Sequence, residues 1–331
     1  MAKNEVPVYC GTSPWANIST PVENLLKSED VIKAAGLDWE AGVHPLTAQM
    51  PDNSLVKAED KNITYRKDTN QILGVVGGQY TIVNNKPAFK IADDIMALSD
   101  GAKFDSAGSI DKSRKVWLLA RLPHDITIPN TTDVVRSYLM IQNAHDGTGS
   151  LSAGFIPMLV RTKSVMNAAI PGMNNSVAIR HTKFVENHIQ EASRVLKMAK
   201  NYFDNLQQLF THLATGKITR EQVENIVNKI VPIGEDAVRK TRSENAREKI
   251  MNLYDTSNIP VMFPQVKGTG WHAYNAFVEY LDHWKTYRNT KKSTIAVYEN
   301  RFQSILGGNC ADIKNTALNM ILEAMESNET P

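Results

Sequence analysis

Residues 134–160 read VVRSYLMIQNAHDGTGSLSAGFIPMLV, and this stretch decides the fold. Two apolar runs, Val134–Gln142 and Leu151–Val160, flank the tetrapeptide Asp146-Gly147-Thr148-Gly149. An Asp-Gly pair between apolar runs is among the strongest short-range signals for a β-hairpin, because both residues tolerate the backbone conformations of a tight turn. The stretch therefore predicts two long antiparallel strands near the middle of the chain.

Shorter strand signals precede this hairpin. Ile72–Val76 follows the turn Asp68-Thr69-Asn70. Lys103–Ala107 and Lys115–Arg121 flank the turn Asp111-Lys112-Ser113. Asp, Asn and Ser favour turns because their side chains bind nearby backbone groups. Together with residues 134–160, these patterns predict a central antiparallel sheet built from β-hairpins.

The character of the chain changes after Arg161. Lys163–Ile170 is predicted to form a helix, and from Thr182 onward apolar residues recur every three to four positions, which is helical spacing. Thr219 with Gln222 predicts a capping box at the start of a helix. The sequence thus indicates an α+β fold, a central antiparallel sheet with β-hairpins followed by a mainly helical C-terminal half.

Four segments are predicted on this basis. Five prolines in the first fifty-one residues disfavour long helices and central strands there. The segments are an N-terminal arm with short elements (1–60), an α+β sheet domain (61–182), a helical region (183–326) and a frayed tail (327–331).

The overall charge does not select a class of partner. The chain has 37 basic and 35 acidic residues, a net charge of +2, so local clustering has to decide whether nucleic acid is bound. The two cysteines, Cys10 and Cys310, form no CxxC pair, and we expect neither a disulfide framework nor a metal or other cofactor. The absence of a signal sequence and of a long apolar run predicts a cytosolic protein that does not interact with membranes.

Two basic clusters provide the functional signal. Residues 161–200 contain many cations and, as acids, only Glu186 and Glu191, and residues 283–288 interleave aromatic and basic side chains. Cations neutralise phosphates, and aromatic faces stack on unpaired bases. The candidate nucleic-acid-binding residues are Arg161, Lys163, Arg180, His181, Lys183, Arg194, Lys197, Lys200, Trp284, Lys285, Tyr287 and Arg288. The alternative for both clusters is an ordinary charged surface with the aromatic residues in a core.

Signals for catalysis are weaker. His145 beside Asp146 is a candidate acid–base pair or metal ligand, and the alternative is a turn in which Asp146 binds backbone donors. His272, Glu279 and His283 can share one helix face, a conceivable metal-ligand pattern, but the HExxH motif is absent. Without a recognisable nucleophile motif, the sequence leans away from an enzyme and leaves the question open.

Four motifs occur in a fixed order between roughly residues 60 and 310. They are Ile72–Gly77 with Tyr80, Val83 and Asn84; Asn143–Gly149; Arg180-His181-Thr182; and Trp271–Ala276 followed by Glu279-Tyr280 and Asp282-His283. In this order they resemble a phage- and plasmid-borne family known as domain of unknown function 932. The resemblance implies a mobile-element gene that is expressed in a bacterial cytosol, and it implies no particular reaction. By looser analogy, two strand pairs followed by a basic helix are similar to Rad52-like single-strand annealing proteins, which hold DNA, usually as rings.

The leading hypothesis is a phage or plasmid protein that binds single-stranded nucleic acid, as an oligomeric annealing or recombination factor. Its expected partners are single-stranded DNA, with RNA left open, and further copies of itself, a ring being one such form. The alternative is an interaction protein that inhibits or redirects a host defence or replication factor. A metal-dependent enzyme that uses His145, or the face of His272, Glu279 and His283, comes third.

Overall fold

A computed structural model describes residues 13–170, 172–179, 185–234, 236–256, 263–287 and 293–329. The strands are β1 (Thr20–Pro21), β2 (Ala41–Gln49), β3 (Leu55–Arg66), β4 (Ile72–Gly77), β5 (Lys103–Ile110), β6 (Lys115–Thr127), β7 (Val134–Ala144), β8 (Ser152–Leu159), β9 (Ser164–Val165) and β10 (Ser176–Ala178). The α-helices are α1 (Ser28–Ala34), α2 (Asn85–Leu98), α3 (Val185–Thr215), α4 (Arg220–Ile230), α5 (Ala237–Thr256), α6 (Gly270–Glu279), α7 (Thr294–Gly307) and α8 (Asn309–Glu329). No helix within these ranges is both long enough and apolar enough to cross a membrane.

The large sheet is antiparallel and is built as the sequence predicts. Its order is β1-β5-β6-β7-β8-β10, with β9 paired to the end of β8. The β7–β8 hairpin runs in register from Gln142 opposite Ser152 to Val135 opposite Leu159. At its turn, Gly147 has a φ of +77°, a conformation that glycine adopts without strain. The predicted α+β fold, with hairpins in the first half and helices in the second, is therefore confirmed.

Both faces of the large sheet are buried. Successive residues of a strand point to opposite faces, and β6 shows this alternation. Its Leu118 packs toward the core formed with α2 and α3, whereas Trp117 packs toward a second core that includes Phe302 of α7. The ring centroids of Trp117 and Phe302 are 5.1 Å apart. The sheet is thus the middle layer between two groups of helices.

A second, three-stranded sheet with the order β2-β3-β4, called the small sheet below, occupies the N-terminal part. Its strand β3 crosses residue 60, where the sequence had suggested a boundary between an arm and a sheet domain. Residues before that point also join the main core, since Val31 and Leu37 are buried in it. Pro45 lies in β2, an edge strand, which is the position in a sheet that tolerates the missing amide hydrogen.

The structure differs from the sequence prediction in two helical segments. Residues 163–170, predicted as a helix, form β9 and an irregular continuation, and Lys163 has a φ of +54°, which no α-helix accommodates. The single helix on which His272, Glu279 and His283 were expected to share a face is interrupted: α6 stops at Glu279, and a π-helical turn, Tyr280–Trp284, follows. At the C-terminus, α8 continues through Ser327, where fraying was expected.

Candidate functional site

The first two sequence motifs form the junction between the small sheet and the large one. The turn after β7 lies against β4, and a Cβ atom on Gly74 would lie 2.6 Å from the Cα of Asp146. Thr64 of β3 donates a hydrogen bond to the carbonyl of His145 at 2.6 Å. Asp146 accepts hydrogen bonds from the amide of Thr148 at 2.9 Å and from its hydroxyl at 2.6 Å. The turn interpretation of Asp146 is thereby confirmed, and the motif has a structural role.

Replacing Gly74 with alanine is expected to destabilise the protein by about 1–3 kcal/mol, because the added methyl group meets backbone atoms that cannot move independently. The matched control is Gly77→Ala on the same strand, where a Cβ atom would have nothing within 4 Å. Urea unfolding of both variants measures the difference. Equal midpoints for the two variants would contradict the close approach.

His145 is enclosed in this junction. Its Nε2 lies 2.8 Å from Oδ1 of Asn85, and its ring centroid lies 5.0 Å from that of Trp39. The amide nitrogen of Asn85 donates to the carbonyl of Leu37, so the oxygen faces the histidine and Nε2 carries the proton. Burial lowers the pKa of His145 from 6.5 to about 4, so the ring is neutral at physiological pH.

The fourth motif binds the segment that joins the sheet to the helical half, residues 161–170, called the connecting segment below. Asp282 and Lys314 form a salt bridge of 2.6 Å, and both side chains are fully buried. The amide of Val165 donates to Oδ2 of Asp282 at 2.8 Å, and Nζ of Lys314 donates to the carbonyl of Val165 at 2.7 Å. Burial raises the pKa of Asp282, and the attraction of Lys314 opposes this effect.

Other side chains of the helical half bind the rest of this segment. Their hydrogen bonds satisfy its backbone groups or hold its side chains in place. The hydroxyl groups of Tyr202 and Tyr274 donate to the carbonyls of Ala168 and Asn167, respectively. The amide of Ala169 donates to Oδ1 of Asn315, and the side chain of Asn167 donates to the carbonyl of Ile305. Ser164 and His283 share a hydrogen bond. Because these partners replace helical hydrogen bonds, residues 163–170 remain non-helical.

Three of the predicted nucleic-acid-binding cations have acidic partners within the chain. Arg161 makes a bidentate contact with the buried Asp133 at 2.8 and 3.2 Å. Arg194 is paired with Glu191. Lys200 and Asp204 are 2.6 Å apart on the surface. Since a carboxylate already neutralises each of these charges, none of them is used in the site described below.

The other predicted cations are dispersed. Lys163 lines a small cavity of about 240 Å³ that also includes Asp105 and Arg136. Lys197 is exposed on α3. The remaining predicted residues, Arg180, His181, Lys183 and Arg288, lie outside the residues that the structure describes.

The predicted stacking aromatics already have neighbours. Trp284 is partly buried, its Nε1 donates to Glu279 at 3.3 Å, and Nζ of Lys249 lies 3.6 Å from the centre of its ring. The hydroxyl of Tyr287 lies 3.1 Å from Sγ of Cys310. Lys285 donates to Oδ1 of Asn309 at 2.7 Å.

The structure does not bring the proposed metal ligands together. His272 stacks on Tyr254 with ring centroids 4.2 Å apart, whereas Glu279 bonds to Trp284 and His283 to Ser164. Burial raises the pKa of Glu279 and lowers that of His272 to about 4. Across the described ranges, no three His, Cys, Asp or Glu side chains are grouped as metal ligands.

A groove of about 800 Å³ lies between the large sheet and the turn that joins α7 to α8. Its lining includes ten neutral side chains that can both donate and accept hydrogen bonds. The seven amides are Gln142, Asn167, Asn175, Asn300, Gln303, Asn309 and Asn315, and the three serines are Ser152, Ser176 and Ser304. Among the described lining residues, only Lys115 and Asp312 are charged. We call this cavity the amide groove.

Strand register and glycines shape the groove. Gln142 lies opposite Ser152, and Met140 lies opposite Gly154, so these residues of β7 and β8 share the face that the groove occupies. Gly154 leaves the floor open, and a Cβ atom there would have its nearest neighbour, the carbonyl oxygen of Met140, at 3.9 Å. The groove can therefore be filled by mutation without a backbone clash.

Sequence reasoning missed this groove because its amides are spread over some 170 positions and form no local pattern. Two of the predicted residues, Lys285 and Tyr287, contact its lining. Lys285 bonds to Asn309 of the lining. Burial raises the pKa of Tyr287, and its hydrogen bond with Ser304 of the lining acts in the opposite direction. The one signal of this site in the sequence is the pair Gly307-Gly308, which separates two helices and lines the groove.

The fold and the groove define an α+β protein with an antiparallel sheet between two helical layers and a polar groove on one side of that sheet. A family model described as "Domain of unknown function (DUF932)" matches residues 72–302, which is more than half of the chain. The chain belongs to this family, as the motifs suggested. No curated protein and no solved structure gave a significant match.

Proposed function

We propose that the protein binds single-stranded nucleic acid in the bacterial cytosol and holds unpaired bases in the amide groove. The observation that carries this proposal is that seven amides and three serines line a cavity of about 800 Å³, with three of the amides, Asn167, Asn309 and Asn315, also bonded within the chain. A primary amide has donors and an acceptor side by side, as base edges do, and the volume lies in the range of small-molecule pockets. Recombination of phage or plasmid DNA is the setting in which such a protein would meet single strands.

The charge of the groove predicts how binding depends on salt. Lys115 lines the groove and Lys285 bonds to Asn309 of the lining, so these two cations are the phosphate contacts that we assign to it. Two phosphate contacts to a single strand give a slope of about −1.4 in a plot of log K against log salt concentration. We expect this shallow slope, because a site that reads mainly base edges releases few counterions. A slope several times steeper would indicate a strongly basic surface elsewhere.

Replacing Gly154 with leucine tests the location of binding. The new side chain occupies the groove floor, so we expect at least about tenfold weaker binding, or about 1.4 kcal/mol. The matched control is Gly77→Leu, which has nothing within 4 Å of its Cβ position and lies on the small sheet, away from the groove. Fluorescence anisotropy with labelled DNA and RNA homopolymers, each about 16 nucleotides long, measures the affinities at several salt concentrations.

Two outcomes would overturn the proposal in different ways. If the unmodified protein binds none of the strands at low salt, it is not a single-strand binding protein. If it binds strands and Gly154→Leu binds as tightly as Gly77→Leu, the function survives and the amide groove is not the site. Circular dichroism spectra of both variants show whether the fold is preserved.

A further inference from the structure

A second, smaller cavity, of about 240 Å³, carries charges of both signs. Its walls come from the N-terminal residues 13–23, from strands β5, β7 and β8, and from the connecting segment. Among the described lining residues, the charged ones are two acids and two bases: Glu23, Asp105, Arg136 and Lys163. The cavity shares no residue with the amide groove, so the two sites are separate.

A β-bulge brings Asp105 to this cavity. The pairing of β5 with β6 shifts between Phe104 and Ser106, so Asp105 is an extra residue of β5. Neighbouring residues of a regular strand point to opposite faces, whereas Asp105 and Ser106 both line the cavity. Bulges commonly re-aim a side chain beside a functional site, and the side chain that this bulge re-aims is a carboxylate.

The four charged side chains surround the cavity without neutralising one another. Across the residues that the structure describes, no salt bridge joins either of these acids to either of these bases. Asp105 accepts a hydrogen bond from the hydroxyl of Ser106 at 3.0 Å. Nε of Arg136 is buried and has no hydrogen-bond acceptor among the described residues. A buried donor without an acceptor destabilises the protein, and a bound carboxylate would supply that acceptor.

The charges act on one another across the cavity. Burial raises the pKa of Asp105 and Glu23 raises it further, whereas Ser106 and the cations Lys163 and Arg136 oppose this effect. Burial and the negative charge of Asp105 raise the pKa of Tyr138, so the phenol of this lining residue keeps its proton and can donate a hydrogen bond. A positive group bound between the two carboxylates would relieve their repulsion.

We propose that this cavity binds a free α-amino acid. The carboxylate of the ligand contacts Arg136 and Lys163, and its ammonium group contacts Asp105 and Glu23. The planar fork of an arginine matches the geometry of a carboxylate, and two acids with two bases match a ligand that carries one charge of each sign. The volume lies just below the range of about 300–1,000 Å³ that holds drug-sized ligands, which suits a smaller molecule. The proposal goes beyond the binding of nucleic acid and does not depend on it.

Isothermal titration calorimetry of the full chain with each of the standard α-amino acids tests the proposal. We expect at least one of them to bind with a Kd of about 1 mM or tighter. Its N-acetyl derivative lacks the ammonium group and its carboxamide lacks the carboxylate, so each should bind at least about tenfold more weakly. If no amino acid binds, or if either derivative binds as tightly as the free amino acid, the proposal is wrong.

Replacing Lys163 with asparagine tests whether the ligand lies in this cavity. The backbone of Lys163 has a φ of +54°, which asparagine tolerates, so Lys163→Asn removes the charge without adding strain. We expect at least about tenfold weaker binding of the amino acid. The matched control is Lys103→Asn, which changes an exposed lysine of β5 outside the lining and should leave the affinity unchanged. Equal affinities of the two variants would overturn the proposal.

A second variant, Glu23→Gln, tests the ammonium end and protects the test against misfolding, because the side chain of Glu23 is exposed. It should weaken the binding of the free amino acid and leave the weaker binding of the N-acetyl derivative unchanged. A loss of affinity for both ligands, or for neither, would contradict the arrangement. The affinity of Lys163→Asn and Glu23→Gln for single strands should equal that of the unmodified protein, which separates this site from the amide groove.

Discussion

Replacing Lys314 with methionine is expected to lower the free energy of unfolding by about 3–5 kcal/mol. Methionine keeps most of the packing volume and removes the ammonium group. Asp282 then remains fully buried without its cation, and the carbonyl of Val165 loses its donor. A buried charge without a partner is among the largest single sources of instability in a protein, because water no longer solvates it.

Urea unfolding at neutral pH measures this loss. The control is Lys200→Met, which breaks a salt bridge of the same length, 2.6 Å, in which the lysine is 68% exposed. Exposed pairs contribute about 1 kcal/mol or less, so this variant should differ little from the unmodified protein. The double variant Asp282→Asn, Lys314→Met should be more stable than Lys314→Met alone, because its buried charge is gone. If Lys314→Met and Lys200→Met unfold at the same midpoint, the buried pair does not stabilise the connecting segment.

The parts of the fold that could be predicted from the sequence are those with local causes. The Asp146-Gly147 turn specifies its own hairpin, and the structure has β7 and β8 on either side of it. Thr219 and Gln222 form the predicted capping box, in which each side chain binds the backbone of the other residue. In both cases the interacting groups are within a few residues of each other, so composition and spacing are enough to predict the local structure.

The connecting segment could not be predicted, because its structure has distant causes. Residues 163–170 have helical spacing, but Asp282 and Lys314 bind Val165 from 117 and 149 positions away. Tertiary hydrogen bonds of this kind override a weak local preference. The same limit applies to Arg161, whose partner Asp133 lies 28 positions earlier, so this cation of the sequence cluster is not a free charge in space.

The candidate site could be predicted in part. Each of its walls is a predictable element, since β7 and β8 follow from the hairpin signal and α7 and α8 from helical spacing. Their packing on the same face of the sheet depends on the second core, where Trp117 meets Phe302. No sequence rule links these two residues, and the groove beside them became visible only with the tertiary structure.

The stability of the protein is expected to fall steeply as the pH is lowered from 6.5 toward 4. Burial lowers the pKa of His145 and of His272 from 6.5 to about 4, and burial with the nearby Lys314 and Arg301 lowers that of His283 to about 3. In this window the unfolded chain binds protons that the folded protein does not, so acid favours unfolding. Each such proton contributes up to about 1.4 kcal/mol per pH unit, and three together contribute up to about 4.

Urea unfolding at several pH values between 6.5 and about 5 measures how steeply the free energy of unfolding changes with pH. Asp105, Glu279 and Asp282 oppose this effect, because burial raises their pKa values and their protonation stabilises the folded state. Replacing His145 with glutamine should reduce this slope by the contribution of about one proton, whatever the replacement does to the stability at neutral pH.

The control for this prediction is His44→Gln, because the side chain of His44 is exposed on β2. Its slope should equal that of the unmodified protein. The slope is the decisive quantity, since a packing defect shifts the free energy by the same amount at every pH, whereas a buried neutral histidine changes how that free energy varies with pH. If His145→Gln and His44→Gln have equal slopes, the ring of His145 accepts a proton in the folded protein, and the junction between the two sheets is more open to water than its hydrogen bonds indicate.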